Sequence, residues 1–410
     1  MKKYDEYKDS GVAWIGDVPK HWEVLHLKHS LDGLQDGTHE TYASVDVGKV
    51  LLSAKNVTEH GLIIGESERT ISDIDYKEIV SNGFPQQGDI LLCCVGTLGR
   101  CCIFENPFPI AFQRSVTFLR TNSLLSNRML LYILRNKYID TQFQLFAKTS
   151  AQSGVYMGDL KDFYIVVPPI TEQAAISTYL DTHCAKIDNL ISIQQKRIAL
   201  LQELKQSVIT HAVTKGLNPM KPSGVEWIGE VPKHWEVMPF KRAMTIYNGS
   251  DYKHIQVDVA GYPVIGSGGE FARASQYVYD GEVVLLGRKG TIDKPMYYNG
   301  KFWTVDTMFY AIPKKHVNCK YLYYQALIIP FDRYATSTAL PSMTQTDLNF
   351  NIIGLPPTVE QAAIASYLNH KCATIDTSIF NAQHQIELLQ EYKQSLITEV
   401  VTGKRKVTDN

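Results

Sequence analysis

Apolar side chains recur at Ile187, Ile191, Ile198, Leu201, Leu204 and Val208, spacings of three, four and seven that draw one stripe along a helix. Ile375, Ile379, Ile386, Leu389, Tyr392 and Leu396 draw the same stripe later in the chain, and Gln194, Gln195 and Lys196 fall on a flank that reads as solvated. Pro168-Pro169 followed by Thr171-Glu172-Gln173 reads as a helix start. Gly216 with Asn218-Pro219 reads as the first helix's end, and Gly403 as the second's. With a break expected near Thr182 and His183, the continuous first helix is predicted over residues 187–213, about 40 Å long at 1.5 Å per residue. Elsewhere the period shortens. Runs such as KVLLSAKNV, DILLCCVG, EVVLLGRKG and FYIVVPP, punctuated by Gly, Asn and Pro, predict strands, while SNRMLLYILRNKYI and KYLYYQALII predict helices.

The same stretches reveal a tandem duplication. SGVAWIGDVPKHWE at residues 10–23 returns as SGVEWIGEVPKHWE at 223–236, identical at 12 of 14 positions with an offset of 213. PPITEQAAISTYL from Pro168 returns as PPTVEQAAIASYL from Pro356 at an offset of 188, and the match runs to Thr214 and Thr402 with 27 identities in 47 positions. AKTSAQSGVYMGDL from Ala147 keeps the 188 register with ATSTALPSMTQTDL from Ala335. The expected fold class is α+β: two β-rich domains with helices, separated by two long helices packed as an antiparallel coiled coil with pseudo-two-fold symmetry. The alternative is that each long helix packs on its own globular neighbour. The expected boundaries are 1–23 for an N-terminal shared segment, 24–167 for a first variable domain, 168–222 for a helical spacer, 223–236 for the repeated segment, 237–355 for a second variable domain and 356–410 for a second spacer.

Composition narrows the class. At 410 residues, 44% apolar and 20% charged, the chain has material for more than one core and none of the signature of disorder. No run approaches the 18 apolar residues of a membrane span, and MKKYDEYKDSGVAW carries charges where a signal peptide would be apolar, so a cytoplasmic protein is expected. The 41 basic and 42 acidic residues nearly cancel. Residues 24–167 carry 13 basic and 15 acidic side chains and residues 237–355 carry 12 and 9, so any nucleic-acid contact must come from local patches.

Catalytic signatures are missing: there is no G-x-x-x-x-G-K-[ST], no H-E-x-x-H and no G-x-S-x-G. Glu203-Leu204-Lys205 and Glu391-Tyr392-Lys393 have the acidic-x-Lys spacing of nucleases but lie on the helices and read as solvated surface. Asn106-Pro107-Phe108 reads as a loop. The seven cysteines include the doublets Cys93-Cys94 and Cys101-Cys102, which on strands point to opposite faces and so do not assemble a zinc tetrahedron. No metal site is expected, and the duplicated His21 and His234 read as parts of a packed turn.

The doubled WIG-D/E-VPKHWE segment, the doubled PP-x-x-EQ-x-AI-x-x-YL helix start and the LLQE-x-KQS-x-IT helix resemble the specificity subunit of type I restriction-modification systems over essentially the whole chain. That resemblance implies a non-catalytic subunit that reads double-stranded DNA through two target-recognition domains, one per half of a split site. It implies helices that dock two modification subunits, which carry S-adenosylmethionine and methylate adenine, and restriction subunits that use ATP and Mg. No cofactor is expected on this chain and no membrane partner. About 40 Å of helix is close to one duplex turn, which fits two readers on successive grooves. The DNA-binding residues it implies in the first domain are Asp36, Gly37, Thr38, His39, Lys55, Asn56, Thr97, Arg100, Gln113, Arg114 and Ser115. In the second they are Asn248, Ser250, Ser267, Arg288 and Lys289, with the loops Tyr262–Gly269 and Gly287–Gly290 expected in places similar to those of Gly96–Arg100 and Gln113–Ser115. Asn248-Gly249-Ser250 stands where the second domain lacks the Asp-Gly-Thr-His wording. The competing class is a non-enzymatic coiled-coil scaffold with two ligand-binding domains.

Overall fold

A computed structural model describes residues 2–106, 108–147, 154–216, 220–226, 228–333 and 341–407. Pro107, Asn218-Pro219 and part of the paired segments at 147–160 and 335–348 lie outside the described residues. The chain divides into two compact units, Met1–Ile193 with Gln385–Asn410, and Gln194–His384.

The first unit contains a four-stranded sheet of β1 (Leu31–Asp36), β3 (Ile90–Cys93), β4 (Cys101–Ile103) and β6 (Val116–Thr121), in the order β4-β3-β6-β1. Beside it β2 (Lys49–Leu52) and β5 (Ile110–Phe112) pair in parallel within a second sheet. Two cores result, because the strands are apolar on both faces. Cys94 and Cys101 face one core and Cys93 and Cys102 the other, so the doublets split as their alternation predicts. All seven cysteines are free and buried, and burial pushes the thiols of Cys94 and Cys102 up to about 12 and that of Cys101 up to about 11. The run SNRMLLYILRNKYI forms two helices, not one: α1 (Asn127–Leu134) and α2 (Lys137–Phe146). Ser126 caps α1 by accepting the Met129 N–H, and Asn136 breaks the run by accepting the Tyr138 N–H as the cap of α2.

The second unit repeats the plan with longer strands. Its seven-stranded sheet includes β7 (Met244–Asn248), β8 (Tyr262–Gly266), β9 (Gly269–Ala274), β10 (Tyr279–Gly287), β11 (Met296–Thr304) and β12 (Met308–Pro313), in the order β7-β12-β10-β11-β8-β9. The first four strands of that order repeat the β1-β6-β3-β4 order of the first unit. Helix α3 (Cys319–Ala326) is capped by Asn318, which accepts the Tyr321 N–H.

The long helices run Ile170–Thr214 and Thr358–Val401 without interruption. The first has 45 residues, about 68 Å of rise, where only 27 of them were expected as continuous helix. Thr182 does not break it, since its hydroxyl donates back to Thr178 O at 2.8 Å. The apolar stripe instead turns onto the globular lobe through Ile176, Leu180 and Cys184.

Each unit contains an antiparallel pair of segments from the two helices. In the first, Lys393 Nζ donates to both oxygens of Asp188 at 2.7 and 2.9 Å, and the partners diverge in sequence toward Tyr179 and Arg405. In the second, Lys205 Nζ grips Asp376 at 2.7 and 2.8 Å. Both lysines belong to the acidic-x-Lys triplets, so these are fasteners of the helix pair. The seam steps by fours and threes through 187, 191, 194, 198, 201, 205 and 208. Leu204 and Tyr392, placed on the stripe from sequence, are 49% and 50% exposed. The half-buried positions fall one past them, at Lys205 and Lys393, whose ammonium groups reach Asp376 and Asp188. Helix packing on the lobe and helix packing on helix therefore occur together.

The duplicated motifs hold one another. Glu172 accepts from Tyr4 at 2.7 Å and pairs with His21 Nε2 at 2.7 Å. Glu360 accepts from Trp235 Nε1 at 3.1 Å and pairs with His234 Nε2 at 2.7 Å. The next residue ties helix to lobe. Gln173, 1% exposed, accepts the Ser126 N–H and donates to Leu124 O and Pro168 O, while Gln361 accepts the Asn318 N–H and donates to Pro356 O.

Candidate nucleic-acid interface

In the first unit the sheet ends beside four loops that hydrogen-bond to one another. Asp36 closes β1, and the Gly37 N–H donates to Val116 O at 2.9 Å and the Thr38 N–H to Phe112 O at 2.8 Å. The Arg114 N–H returns the contact to Thr38 O at 2.9 Å, and the Gln113 N–H donates to Leu52 O at 2.8 Å. From the next turn the Ala54 N–H donates to the Ser115 hydroxyl at 3.0 Å, while the Arg100 guanidinium donates to Ala54 O. The residues at 36–39, 54–56, 100 and 113–115 thus meet although they span nearly eighty positions. Thr97 is exposed on the β3–β4 loop that also carries Arg100.

Their side chains differ in what they can offer a ligand. Arg114, His39 and Thr97 are exposed. Asn56 is buried, with its amide donating to Ile63 O and Glu68 and its oxygen accepting from the Ser53 N–H. Lys55 pairs with Glu68 at 2.9 Å, and the hydrogen bond from Lys55 leads the causes that lower the Glu68 carboxyl. Asp36 accepts from the Thr117 hydroxyl at 2.6 Å, and burial raises its carboxyl above the ordinary range against the opposing pull of Thr117 and His39.

The second unit builds the same junction from other letters. The Gly249 N–H donates to Met308 O at 2.9 Å and the Ser250 N–H to Thr304 O at 3.0 Å. Gly249 therefore stands where Gly37 does, and Asn248-Gly249-Ser250 takes the place of Asp36-Gly37-Thr38. Neither glycine has a positive φ; space explains them. A Cβ at Gly37 would lie 2.4 Å from the carbonyl oxygens of Phe112 and Gln113, and one at Gly249 would lie 2.0 Å from Val305 O. The Arg288 N–H donates to Thr307 O at 2.8 Å as the Cys94 N–H does to Ser115 O at 3.2 Å. Bridges pair Val95 with Gly154 and Lys289 with Ser342, and the last two partners stand 188 apart.

This register shows which loops correspond. Gly96 matches Gly290, with φ of 81° and 82°, so Gly96-Thr97-Leu98-Gly99-Arg100 corresponds to Gly290-Thr291-Ile292-Asp293-Lys294. Arg288 and Lys289 occupy the places of Cys94 and Val95 instead. Sequence reading missed Lys294, Asp306 and Thr307, because Val305-Asp306-Thr307 shares no letter with Gln113-Arg114-Ser115. Ser267 stands on the β8–β9 hairpin, linked to the junction through Thr304, whose hydroxyl donates to Ile265 O at 2.7 Å.

Comparison with known proteins bears on what this paired junction serves. The model of the type I restriction modification DNA specificity domain matches residues 58–202 and 232–388. A relative from Methanocaldococcus jannaschii, named as the MjaX specificity subunit of a type I restriction enzyme, is 25% identical over 416 residues covering 96% of each chain. A solved chain from work on complex assembly and conformational transition of the type I R-M system is similar with a TM-score of 0.72 at 15% identity, covering 94% of this chain and 98% of that one. The HsdS subunit from Thermoanaerobacter tengcongensis gives a TM-score of 0.52 at 14% identity, covering 95% and 98%.

Proposed function

Since the chain belongs to the type I restriction-modification DNA specificity family, whose specificity subunits are non-catalytic and recognise DNA sequence, we propose that its two lobes, residues 24–167 and 237–355, each read one half of an asymmetric bipartite target. The observation that carries this is the paired junction: one set of backbone hydrogen bonds, repeated in two lobes, displays different side chains. A shared frame suits a shared ligand, and different side chains on it suit different base edges. Asp36–His39, Thr97, Arg100 and 113–115 face one half-site, and Asn248, Ser250, Ser267, Arg288, Lys289 and Lys294 the other. Lys55 and Asn56 serve by shaping the loop.

The helical segments, 168–222 and 356–410, dock two modification subunits. Leu200 and Leu388 are 65% and 50% exposed, Leu204 and Tyr392 are about half exposed, and each pair stands 188 apart, so the two helices offer equivalent apolar contacts in duplicate. Those partners carry S-adenosylmethionine for adenine methylation, and restriction subunits supply the ATP- and Mg-dependent cleavage. The assembly works on cytoplasmic DNA. Among the described residues no helix is long and apolar enough to cross a membrane.

Replacing residues 24–167 by the lobe of another specificity subunit tests the proposal through methylome sequencing of the assembled complex. One half-site should change and the other persist. Alteration of both halves would overturn the division of labour.

A further inference from the structure

The two lobes present one turn with opposite charge at its apex. Gln113 to Val116 and Val305 to Met308 each form a four-residue turn, closed by the Val116 N–H to Gln113 O at 3.0 Å and the Met308 N–H to Val305 O at 2.9 Å. The residue after the first is Arg114 in one lobe and Asp306 in the other. Both are exposed between half-buried neighbours, in the same order of burial. Each turn is held on two sides. Beneath it lies the glycine that admits no Cβ, and beside it the N–H of Cys94 or Arg288 anchors the third residue's carbonyl.

Of the six arginines in residues 24–167, five donate hydrogen bonds through their guanidinium groups within the unit. Arg114 alone of the six has no side-chain hydrogen bond or ion pair among the described residues, and the Asp306 carboxylate has none among them either. A free carboxylate on a DNA-facing turn is repelled by phosphates, so it cannot be a backbone contact. What it can accept from is an amino group on a base edge, and cytosine N4 is the group that carboxylates read in the major groove. The neighbouring Arg288 guanidinium donates to the backbone carbonyl of Asp306 at 3.2 Å, which puts a cation on the same turn to face the phosphates.

We propose that positions 114 and 306 determine specificity in opposite senses: Arg114 reads the acceptor edge of a guanine in one half-site, and Asp306 reads the amino group of a cytosine in the other. The assignment rests on the DNA-reading function proposed above and adds to it a charge code at one turn.

The test uses the full chain assembled with its methyltransferase partners, with adenine methylation mapped on libraries randomised in both half-sites and binding to non-cognate duplex measured alongside. Asp306→Asn should lower the preference for one base in the second half-site roughly ten- to hundred-fold and strengthen non-cognate binding by removing a negative charge. Arg114→Gln should lower the preference at one position of the first half-site to a similar extent and weaken non-cognate binding. In each variant the untouched half-site reports folding. An Asp306→Asn complex with an unchanged second half-site overturns the assignment while the DNA-reading function stands. Loss of preference in both halves would make the turn a structural element and overturn it too. A wild-type complex with no base preference anywhere would remove the DNA-reading function itself, and the code with it.

Discussion

At the scale of single residues, Gly37 and Gly249 mark where one backbone must lie against another. Alanine at Gly37 has to push against two carbonyl oxygens that belong to backbone, which cannot rotate away as a side chain could. Gly37→Ala should therefore destabilise the first lobe by about 2 kcal/mol or more, seen as a lower denaturation midpoint, and weaken reading of the first half-site while the second persists. Asp36 supports a prediction in pH. Its carboxyl is raised from 3.8 in the fold, so its contribution to stability is complete below that value and falls away as pH rises through the raised one. Asp36→Asn, the residue the second lobe already has at Asn248, should melt above the native protein at pH 7 and together with it near pH 3. Equal melting temperatures at both pH values would show that burial does not act on Asp36. Asp36-Gly37-Thr38-His39 was singled out in the sequence by its resemblance to a loop of the family's recognition domains. The equivalent Asn248-Gly249-Ser250 was legible only as a weak echo, and Val305-Asp306-Thr307 not at all, because what equates it with Gln113-Arg114-Ser115 is backbone hydrogen bonding.

At the scale of elements, the duplicated Glu-Gln pair does more than begin a helix. Glu172 and Gln173 read from sequence as an acidic first turn, yet their partners lie at Tyr4, His21, Leu124 and Ser126, far away in the chain. Local pattern cannot report contacts of that separation. Gln173→Ala strands a buried N–H and two carbonyls, and should cost about 2–4 kcal/mol. Gln361→Ala should cost a similar amount in the other unit, with the pair additive to within about 0.5 kcal/mol in chemical denaturation. A marked departure from additivity would mean that the two ties are not independent. The helices were legible from their stripes, but the seam was not. Leu204 and Tyr392 keep the three-and-four spacing of the stripe but face outward, while Lys205 and Lys393, which a hydropathy pattern assigns to the surface, turn inward to Asp376 and Asp188.

At the scale of the whole molecule, duplication was the most legible feature, because identity at a fixed offset survives whatever the lobes between have become. Division into two units followed from it, and what stayed hidden was that each unit draws on both long helices. One contact has a consequence for the order of the chain. In the second unit Gly216 packs on Pro232 and Trp235, and peptide bonds carry the backbone on to the strand Met220–Pro222, which pairs with Glu230–Pro232. In the first unit Gly403 packs on Pro19 and Trp22, and the matching strand Tyr7–Asp9 pairs with Asp17–Pro19, but the crossing is made by the Lys406 N–H donating to Lys2 O at 3.0 Å. The same crossing is thus covalent in one unit and a backbone hydrogen bond in the other. A circular permutant that joins Val407 to Lys2 through a short Gly-Ser linker and opens between Gly216 and Met220 should melt within about 5 °C of the native protein and direct methylation to the same target, whereas failure to assemble would show that the covalent crossing at 216–220 is required. Equivalence of the permutant would make the order of the two lobes along the chain a matter of the gene and not of the fold.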